Sequence, residues 1–522
     1  MTTFHRLLLD SARAFGPRPA VLFGDITLSY EELLERTRRL AGGLAALGIT
    51  DDDHVAIIMD NSLECVFAWL ASSVLGCTDV PINPQYRGEL LRYLLQDSRA
   101  SVVICDDVYA GQVAEVAAGL PALRIAVING TRHGAGLPPT VARARFADAA
   151  QSAPLGDISV NTGERVILYT SGTTGPSKGV VHTQKSCLTL ARYNAEMLEY
   201  TQADRLLNFF PLYHQNARYT GVIPALCAGA SIRLEARFSS SSFWRTCDAD
   251  GTTAFNYLGS VLRLILNVTP SERVAGSHTV RKAFGAGAPP LVWERFESGL
   301  GIRLVETYGL TEAPMTTINA RLPGRRSPTG SAGRPSDLFE VRVVDGDDHF
   351  LPPDMVGEIV LRPRRPDAVM LGYHNKEAAT VSAFRNLWFH SGDRGRLSPE
   401  GDLYFEERGK DSIRRRGENI SAWEVESVLD QHPDVAESAV YGVPSEEVDE
   451  EVAAALVLKR KDADLAAILA FAAQRLPKYA LPTLLKVMGD LPRTPTEKVQ
   501  KAELRAAGRE GCVAAGGLRP LP

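Results

Sequence analysis

Long hydrophobic runs are missing from this sequence, and no stretch approaches the roughly 18 consecutive apolar residues that a membrane helix needs. The first residues reach Asp10 before an apolar core of signal-peptide length can form. Cysteine is scarce, with 7 residues and no CxxC spacing, so disulfides and structural zinc are not expected. Neither sign of charge dominates, because 57 Lys and Arg stand against 62 Asp and Glu for a net charge of −5, which excludes a dedicated nucleic-acid coat or a polybasic membrane binder. We therefore expect a cytoplasmic protein that has neither nucleic acid nor membrane as a partner.

The composition is that of a globular protein, with 45% hydrophobic and 23% charged residues. A chain of 522 residues is long enough for about two to four domains. Its first part alternates helical and strand patterns, as parallel α/β units do. Ser29 and Glu32 predict a capping box at a helix start, and buried strands are predicted at 55–59 and 101–105 with an apolar helix near 62–76.

The character of the sequence changes after residue 337. FEVRVV and GEIVLR, within residues 338–362, predict a small antiparallel β unit. A break is predicted near 408–411, and the strand and helix patterns beyond it predict a compact α+β domain. The tail from about Gly508 is rich in Gly and Ala and is predicted to fray. The predicted fold class is α/β, with a large N-terminal lobe of layered α/β subdomains plus a β subdomain (1–409) and a small α+β C-terminal domain (410–522).

The segment YTSGTTGPSKGV, residues 169–180, directly follows a predicted strand. Its hydroxyl side chains, its glycines and the charge of Lys178 suit a loop that surrounds a phosphate with backbone amides and a cation. It is not a Walker loop, because Pro176 and Ser177 separate the second glycine from the lysine. Taken by itself, the segment is also compatible with a surface linker of the same composition.

Five further segments with a distinctive composition follow this loop along the chain. They are GAGAPP (285–290), VETYGLTE (305–312), WFHSGDRG (388–395), RGKDSIRRRGENI (408–420) and LPRTPTEKVQK (491–501). Together with the phosphate-type loop they resemble the ANL adenylate-forming superfamily of acyl-CoA and aryl-CoA ligases, peptide-synthetase adenylation domains and beetle luciferases. The resemblance covers almost the whole chain. It implies a stand-alone AMP-forming acyl-CoA synthetase, an acid–thiol ligase whose substrates and cofactors are ATP, a small carboxylic acid, Mg²⁺ and coenzyme A.

The resemblance also implies roles for individual residues. Thr311 would contact the α-phosphate, Glu312 would hold Mg²⁺ and Tyr308 would stack on adenine. Asp393 would accept hydrogen bonds from the ribose hydroxyls, and Lys498 would bind both the entering carboxylate and the phosphate. Further contacts to the nucleotide or to coenzyme A are implied at Thr170, Ser171, Gly172, Thr173, Thr174, Lys178, Gly287, Ala288, Pro289, Glu306, Thr307, Gly309, Arg408, Lys410, Arg414 and Gly417.

These residue types suit the reaction, because a carboxylate must reach the α-phosphorus of ATP against electrostatic repulsion and cations must shield the phosphates. Lys410 lies at the hinge position of the superfamily, whose small C-terminal domain is mobile and rotates between the two half reactions. The arginines at 414–416 are compatible either with a solvated charged face or with contacts to the phosphates of coenzyme A.

PLYHQNARYTG, residues 211–221, lies where the superfamily places a motif that borders the acyl pocket. His214 is the candidate catalytic residue there, and it follows Tyr213 where amino-acid adenylation domains usually carry Asp. An ordinary carboxylic acid is therefore favoured over a free amino acid. Gln215, Asn216 and Arg218 suggest polar decoration of the pocket. The 24 residues after Lys498 are too few for a fused carrier domain, which favours coenzyme A as the acceptor.

Two positions depart from the superfamily pattern. Ser177 replaces the usual Pro and is expected to loosen the phosphate loop, and Glu497 replaces the usual Gly beside Lys498. These departures keep open an enzyme that only forms the thioester from a preformed acyl-AMP, with weak or absent adenylation. Two further candidate functions are a stand-alone enzyme that loads a carrier protein and a catalytically silent nucleotide- or acyl-binding protein. A homodimer is one option for the oligomeric state.

Overall fold

The computed structural model describes residues 3–131, 136–156, 165–170, 177–288, 290–319, 327–408, 412–445, 449–460, 463–492, 499–515 and 519–520, with side chains except at 260, 407, 408, 412, 423, 502, 519 and 520. The chain divides into two compact units. The larger unit comprises Met1–Pro84, Arg92–Tyr169 and Gly179–Glu407, and the smaller unit comprises Gln85–Leu91, Thr170–Lys178 and Arg408–Pro522.

Two sheets with mainly parallel strands form the framework of the larger unit. The first contains, in spatial order, Arg334–Pro335, Thr317–Ile318, Arg303–Tyr308, Lys282–Ala286, Ala254–Leu258, Arg205–Asn208, Ser231–Leu234, Pro19–Phe23 and Ile26–Ser29. The second contains Gly372–Tyr373, Lys178–Thr183, Arg165–Thr170, Thr78–Pro81, His54–Ile58, Val102–Asp106, Ile125–Asn129 and Ala142–Arg145. In sheets of this kind ligands bind beyond the carboxyl ends of the strands.

Helices cover these sheets. The α-helices that begin before residue 400 are Phe4–Phe15, Tyr30–Ala46, Leu63–Leu75, Gly88–Asp97, Ala110–Ala117, Phe146–Ala149, Gln184–Met197, Gln215–Ala217, Ile223–Ala228, Ser240–Asp250, Gly259–Asn267, Pro290–Glu294 and Glu377–Ala383. Arg218–Val222 and Arg295–Gly299 are π-helical turns, and Arg385–Leu387 is a 3₁₀ turn. No helix of the described residues is long and apolar enough to cross a membrane.

The β subdomain of the larger unit is a separate sheet of strands Phe339–Val344, Gly357–Pro363, Phe389–Leu397 and Leu403–Arg408. Its first three strands pair antiparallel. This arrangement confirms the β unit expected from the sequence between residues 338 and 362.

The smaller unit is α+β. Its sheet contains, in spatial order, Glu418–Ser421, Ser412–Arg415, Asp449–Leu458, Leu484–Met488, Val513–Ala514 and Arg519–Pro520, with Val435–Ser445 paired to Asp449–Leu458. The helices Ala422–Leu429, Leu465–Ala473 and Lys501–Ala507 and the 3₁₀ turn Lys478–Ala480 complete it. The predicted fold class, a large α/β lobe with a β subdomain followed by a smaller α+β domain, is confirmed.

Local sequence signals account for several of these elements. Ser29 Oγ accepts from the backbone N–H of Glu32 at 3.1 Å, and the Glu32 carboxylate accepts from the N–H of Ser29 at 2.8 Å, which confirms the capping box. Helix Leu63–Leu75 is buried on nearly all sides because its sequence is apolar all round. The expectation of a frayed tail from Gly508 is wrong at Val513–Ala514, which pair with Leu484–Leu485, and the preceding residue Cys512 is buried.

A buried ion pair links a π-helical turn to the second large sheet. Arg218, in a π-helical turn, contacts the carboxylate of Asp79 on strand Thr78–Pro81, and the side chains of both are 1% exposed. The guanidinium also donates to the backbone O of Leu212 and lies 4.5 Å from the ring centre of Trp69. Arg218 therefore has a structural role, and the interpretation of this residue as polar decoration of the acyl pocket is wrong.

Removing one member of this pair is expected to leave the other as an uncompensated buried charge. Arg218→Met should lower the free energy of unfolding by about 3–5 kcal/mol, measured by urea denaturation. Combining Arg218→Met with Asp79→Leu should recover part of that loss, because no charge then remains unpaired. A loss below about 1 kcal/mol in the single variant would contradict the assignment, and the surface variant Arg39→Met provides the matched control, since Arg39 pairs with Glu35 in an exposed position.

Candidate active site

Glu306 organises the loop that follows strand Lys282–Ala286. Its carboxylate accepts from the backbone N–H groups of Gly287 at 2.9 Å and Ala288 at 2.6 Å and from the hydroxyl of Tyr257 at 2.9 Å. Burial, followed by the Glu306 charge, raises the pKa of Tyr257, so its hydroxyl remains a donor. Glu306 is itself 5% exposed. It fixes the loop at the carboxyl end of the strand.

The next strand brings two predicted nucleotide ligands together. The hydroxyl of Tyr308 donates to Oδ2 of Asp393 at 3.0 Å, and both residues are buried. The Tyr308 ring stacks on Phe405, with ring centres 6.1 Å apart and planes 30° apart. An aromatic face and a carboxylate are thus adjacent, which suits binding of a base and the hydroxyls of its ribose.

Asp393 is held by Ser391, and Glu358 fixes the residues just before it in the strand. The Asp393 N–H donates to Ser391 Oγ at 3.1 Å, and this hydroxyl contacts the carbonyl O of Ile359. The Glu358 carboxylate accepts from the N–H of Gly392 at 3.0 Å and contacts Nδ1 of His390 at 3.0 Å. Sequence reasoning missed Glu358; its place in the β-rich segment GEIVLR marked only a strand.

Thr311 and Glu312 each have a partner that sequence reasoning missed. Nε2 of His182 lies 2.7 Å from the carbonyl O of Thr311, and burial lowers the pKa of His182, so the neutral ring donates to that carbonyl. The hydroxyl of Tyr373 donates to Oε1 of Glu312 at 2.9 Å. His182 lies in strand Lys178–Thr183 and Tyr373 in strand Gly372–Tyr373, and only a three-dimensional structure connects them with residues 311 and 312.

Thr307 and Gly309, on either side of Tyr308, help to determine the backbone conformation around it. Thr307 Oγ1 donates to the carbonyl O of Thr317 at 2.7 Å and so secures the edge of the sheet. A Cβ at Gly309 would lie 2.6 Å from the backbone N of Met315, so only glycine fits the close approach of the two chains there.

His214 lies half-buried at the start of the short helix Gln215–Ala217, and its ring is 4.5 Å from that of Tyr213. The next residue, Gln215, donates from Nε2 to the carbonyl O of Leu310 at 3.2 Å. This contact brings the predicted acyl-pocket motif next to the segment that carries Thr311 and Glu312. The catalytic role of His214 stays a prediction.

The phosphate-type loop is only partly described. Thr170 ends strand Arg165–Thr170, and Lys178 begins strand Lys178–Thr183, with Thr170 Oγ1 donating to the carbonyl O of Lys178 at 3.4 Å. Predicted ligands that lie outside the described residues are Ser171, Gly172, Thr173, Thr174, Pro289, Lys410 and Lys498. For Arg408 the structure describes the backbone alone, at the end of strand Leu403–Arg408.

Ser177, which replaces the usual Pro, has a specific partner in the smaller unit. It is 2% exposed, and its hydroxyl donates to Oε1 of Glu424. Burial raises the pKa of Glu424 to about 7, and the hydrogen bond from Ser177 opposes this rise. The nearby phenol of Tyr86 stays protonated, because burial and then the Glu424 charge raise its pKa. The departure from Pro thus adds a polar contact to a buried carboxyl group.

The stability of this contact should depend on pH. A carboxyl whose pKa is raised on folding holds its proton more tightly in the folded state, so its stabilising contribution is complete below the ordinary value of 4.5 and is lost as the pH rises through about 7. Hydrogen exchange of helix Ala422–Leu429, corrected for intrinsic rates, should therefore accelerate between about pH 4.5 and pH 7 and level off at higher pH. Glu424→Gln should remove that acceleration, whereas the exposed control Glu510→Gln should retain it. Identical pH profiles for wild type and Glu424→Gln would contradict this prediction.

Arg414 and Gly417 lie in a hairpin of the smaller unit. Strands Ser412–Arg415 and Glu418–Ser421 pair antiparallel, and the two connecting residues have φ of 51° at Arg416 and 86° at Gly417. Such a turn needs two positive φ values, which explains a glycine at 417. The Arg414 N–H donates to Oε2 of Glu450 at 2.7 Å.

Arg415 differs from its two neighbours. It is 8% exposed, pairs with Glu451 at 3.0 Å and donates to the carbonyl O of Tyr479 at 3.0 Å. The interpretation of the arginine run as a solvated charged face is therefore wrong at Arg415, which stabilises the smaller unit. The contact of the run to coenzyme A stays a prediction.

Comparison with known proteins shows the family to which the chain belongs. The model of the AMP-binding enzyme family matches residues 8–374, and the model of the AMP-binding enzyme C-terminal domain matches residues 424–498. The chain belongs to the AMP-binding enzyme family. The predicted adenylate-forming superfamily, enzyme class and general reaction, those of an AMP-forming acyl-CoA ligase, are thereby confirmed.

Individual relatives cover nearly the full length of the chain. A crotonobetaine/carnitine–CoA ligase of Salmonella paratyphi A is 28% identical over 510 residues, which are 95% of this chain and 97% of that protein. The long-chain-fatty-acid–CoA ligase FadD13 of Mycobacterium tuberculosis is 31% identical over 489 residues, 92% of this chain and 93% of that protein. Among solved structures, a double mutant of o-succinylbenzoate CoA synthetase (MenE) from Bacillus subtilis, bound with its product analogue OSB-NCoA, matches with a TM-score of 0.82 at 26% identity, covering 96% of this chain and 98% of that one. The acids that these family members use differ widely, so membership alone does not identify the acid.

Proposed function

We propose that this chain activates a carboxylic acid with ATP to an acyl-AMP and then transfers the acyl group to the thiol of coenzyme A. The observation that carries the proposal is the joint placement of Glu306, Tyr308 and Asp393. These residues form a fixed backbone loop, an aromatic face and a buried carboxylate at the carboxyl ends of parallel strands. Asp393 then binds the ribose hydroxyls and Tyr308 stacks on the base.

Glu312 is the candidate ligand for Mg²⁺. It is half-buried, and its carboxylate oxygen is oriented by the hydroxyl of Tyr373. Hard oxygen donors of this kind suit Mg²⁺, which is usually bound in such enzymes through one or two carboxylates together with substrate phosphates. The ion would neutralise charge on the phosphates when bound. The neighbouring residue, Thr311, has its backbone carbonyl held by His182 and is the proposed contact to the α-phosphate.

In the first half reaction a carboxylate oxygen of the acid attacks the α-phosphorus of ATP, a P–O bond forms, and pyrophosphate leaves with the electron pair of the broken P–O bond. Lys178 and Lys498 are proposed to offset the charge that both reactants carry, and His214 is proposed to border the reacting carboxylate. In the second half reaction the thiol sulfur attacks the acyl carbon, AMP leaves, and the thiol proton passes to solvent or to a base. Rotation of residues 410–522 about Lys410 is proposed to exchange Lys498 for the surface near Arg414 and Gly417 between these steps.

An enzyme restricted to the second half reaction is the main alternative, and it is supported by Ser177 and Glu497 at positions where the superfamily usually has Pro and Gly. Parallel assays separate the two functions. Pyrophosphate release and thioester formation are measured with ATP and a panel of carboxylic acids, and thioester formation is measured again with synthetic acyl-AMP. We expect turnover from both starting points. Turnover from acyl-AMP alone would overturn the proposed adenylation and favour the alternative.

The same assays identify the acceptor. Coenzyme A and a pantetheinylated carrier protein are offered at equal concentrations, and we expect the thioester of coenzyme A to form at least about tenfold faster. A preference for the carrier would establish the carrier-loading function, and nucleotide binding without any thioester would establish a silent binding protein. The cytoplasmic location and the homodimer stay predictions.

A further inference from the structure

A group of polar side chains in the larger unit has no role in the nucleotide contacts described above. Nδ2 of Asn256 donates to Oδ1 of Asn216 at 2.8 Å and to the carbonyl O of Thr220 at 3.0 Å. Thr220 Oγ1 donates to the carbonyl O of Asn216 at 2.8 Å. Asn208 ends strand Arg205–Asn208, which pairs with the strand of Asn256. We call Asn208, Asn216, Thr220 and Asn256 the asparagine cluster.

The asparagine cluster occupies a position where the sheet otherwise carries hydrophobic residues. Asn208 is 1% exposed, Asn256 is 3% exposed and Thr220 is 6% exposed, whereas Asn216 is half-buried at the edge. The residues that precede the two strand asparagines are leucine, alanine and phenylalanine of the hydrophobic cores. Buried amides cost free energy unless each polar atom has a hydrogen-bond partner. A sheet that only needed stability would carry apolar side chains here.

One acceptor of the cluster has no partner. Asn208 donates from Nδ2 to the carbonyl O of Phe210 at 3.1 Å, but its Oδ1 is buried without a hydrogen bond among the described residues. A Cβ at Gly221 would lie 3.5 Å from this oxygen and 3.8 Å from Nδ2 of Asn256. Because position 221 is glycine, no side chain covers these two atoms from that direction. An orphaned acceptor of this kind suits a donor supplied by a ligand.

Neighbours along the chain connect the asparagine cluster with the proposed reaction centre. Gln215, which precedes Asn216, donates to the carbonyl O of Leu310, and Thr311 and Glu312 follow directly. Tyr257, which follows Asn256, donates to Glu306. The cluster therefore lies at the same carboxyl edge of the sheet as the proposed nucleotide ligands. The predicted acyl-pocket motif and the proposed contact to the α-phosphate are thus neighbours at this edge.

The asparagine cluster is uncharged. Arg218, which lies between Asn216 and Thr220 in the sequence, already pairs with Asp79. An ionised group on the acid would lose its hydration here without gaining a counter-ion, which is costly. A hydroxyl or an amide can donate to Oδ1 of Asn208 at no such cost.

We propose that the acid carries a neutral hydrogen-bond donor, a hydroxyl or a primary amide, on its tail, and that the asparagine cluster binds this donor. The inference rests on the proposed function, because it assigns the tail of the acid that the proposed reaction activates. A preference for such a donor distinguishes this enzyme from one that activates acids with unsubstituted hydrocarbon tails. The asparagines of the cluster are specificity-determining residues in this account.

The test uses pairs of non-hydrolysable acyl-AMP mimics, acyl-sulfamoyl adenosines, that differ only in a hydroxyl or a methyl group at the end of the acyl chain. Calorimetric titration of the wild-type protein should show that in at least one chain-length pair the hydroxyl mimic binds about 10- to 100-fold more tightly than its methyl partner. Asn208→Leu and Asn256→Leu should reduce this ratio to less than about threefold. Asn129→Leu, a half-buried asparagine at the carboxyl end of a strand in the other large sheet, should leave the ratio unchanged.

Asn216→Leu, at the half-buried edge of the cluster, provides a second route if the two buried variants fail to fold, and it should also reduce the ratio. Methyl mimics that bind the wild type as tightly as hydroxyl mimics in every pair would overturn the inference. This outcome differs from failure of the proposed function, in which the binding preference is present but neither ATP with acid nor acyl-AMP yields a thioester.

Discussion

Replacement of Lys498 by alanine is expected to lower the rate of acyl-AMP formation by about 10²- to 10³-fold. Adenylation brings a carboxylate against the charged α-phosphate, and a positioned ammonium group offsets the repulsion that develops in the transition state. The measurement is ATP-dependent pyrophosphate release with saturating acid. Thioester formation from synthetic acyl-AMP should stay within about threefold of wild type, because that half reaction does not need the lysine in the proposed domain arrangement.

Lys501 gives the matched control for this prediction. It lies three residues further along, and its ammonium group pairs with Glu426 at 2.7 Å. Lys501→Ala removes the same charge from the same part of the chain, but we expect pyrophosphate release to change by less than about threefold. Near-normal pyrophosphate release by Lys498→Ala, or equal losses in the two variants, would refute the role proposed for Lys498.

Replacement of Asp393 by alanine is expected to raise the KM for ATP by about 100-fold. The variant lacks the buried carboxylate, so the two ribose hydroxyls lose the acceptor of their hydrogen bonds. Charge-assisted hydrogen bonds are each worth roughly 1.5–3 kcal/mol. Tyr308→Phe should raise the same KM by less than about tenfold, because the ring still stacks on the base although its hydrogen bond to Asp393 is lost.

Deoxynucleotides test which atoms Asp393 contacts. Wild type should discriminate against 2′-deoxy-ATP and 3′-deoxy-ATP, and Asp393→Ala should use them nearly as well as ATP. Asp402→Ala is the control, since Asp402 is also a buried carboxylate of the β subdomain but pairs with Arg334. Unchanged discrimination in Asp393→Ala would show that another group binds the ribose.

Sequence patterns were sufficient for the elements whose signals are local. The capping box of Ser29 and Glu32 and the apolar helix near 62–76 appear as predicted, because short-range hydrogen bonds and an all-round apolar sequence determine them. The tail was mispredicted because its Gly/Ala content says nothing of the long-range pairing of Val513–Ala514 with a strand almost 30 residues earlier.

For the candidate site, too, the sequence predicts what lies within a motif but not the contacts between distant segments. Motif spacing was sufficient to nominate Tyr308, Glu312 and Asp393 as candidate ligands, and the structure brings Tyr308 and Asp393 together. Their roles stay predictions. Partners such as His182, Glu358 and Tyr373 come from segments without a chemical signature of their own. Arg218 was misassigned because a sequence does not show which of several adjacent polar residues meets a distant carboxylate.

The ion pair of Arg218 and Asp79 also constrains how acid specificity changes over evolution or in a mutant library. Arg218 lies between Asn216 and Thr220, so one helical turn carries two residues proposed to determine the acid and a residue that must not vary alone. Lineages that drift toward a new acid should therefore exchange the hydrogen-bonded positions 216, 220 and 256 together, while positions 218 and 79 change only as a correlated pair.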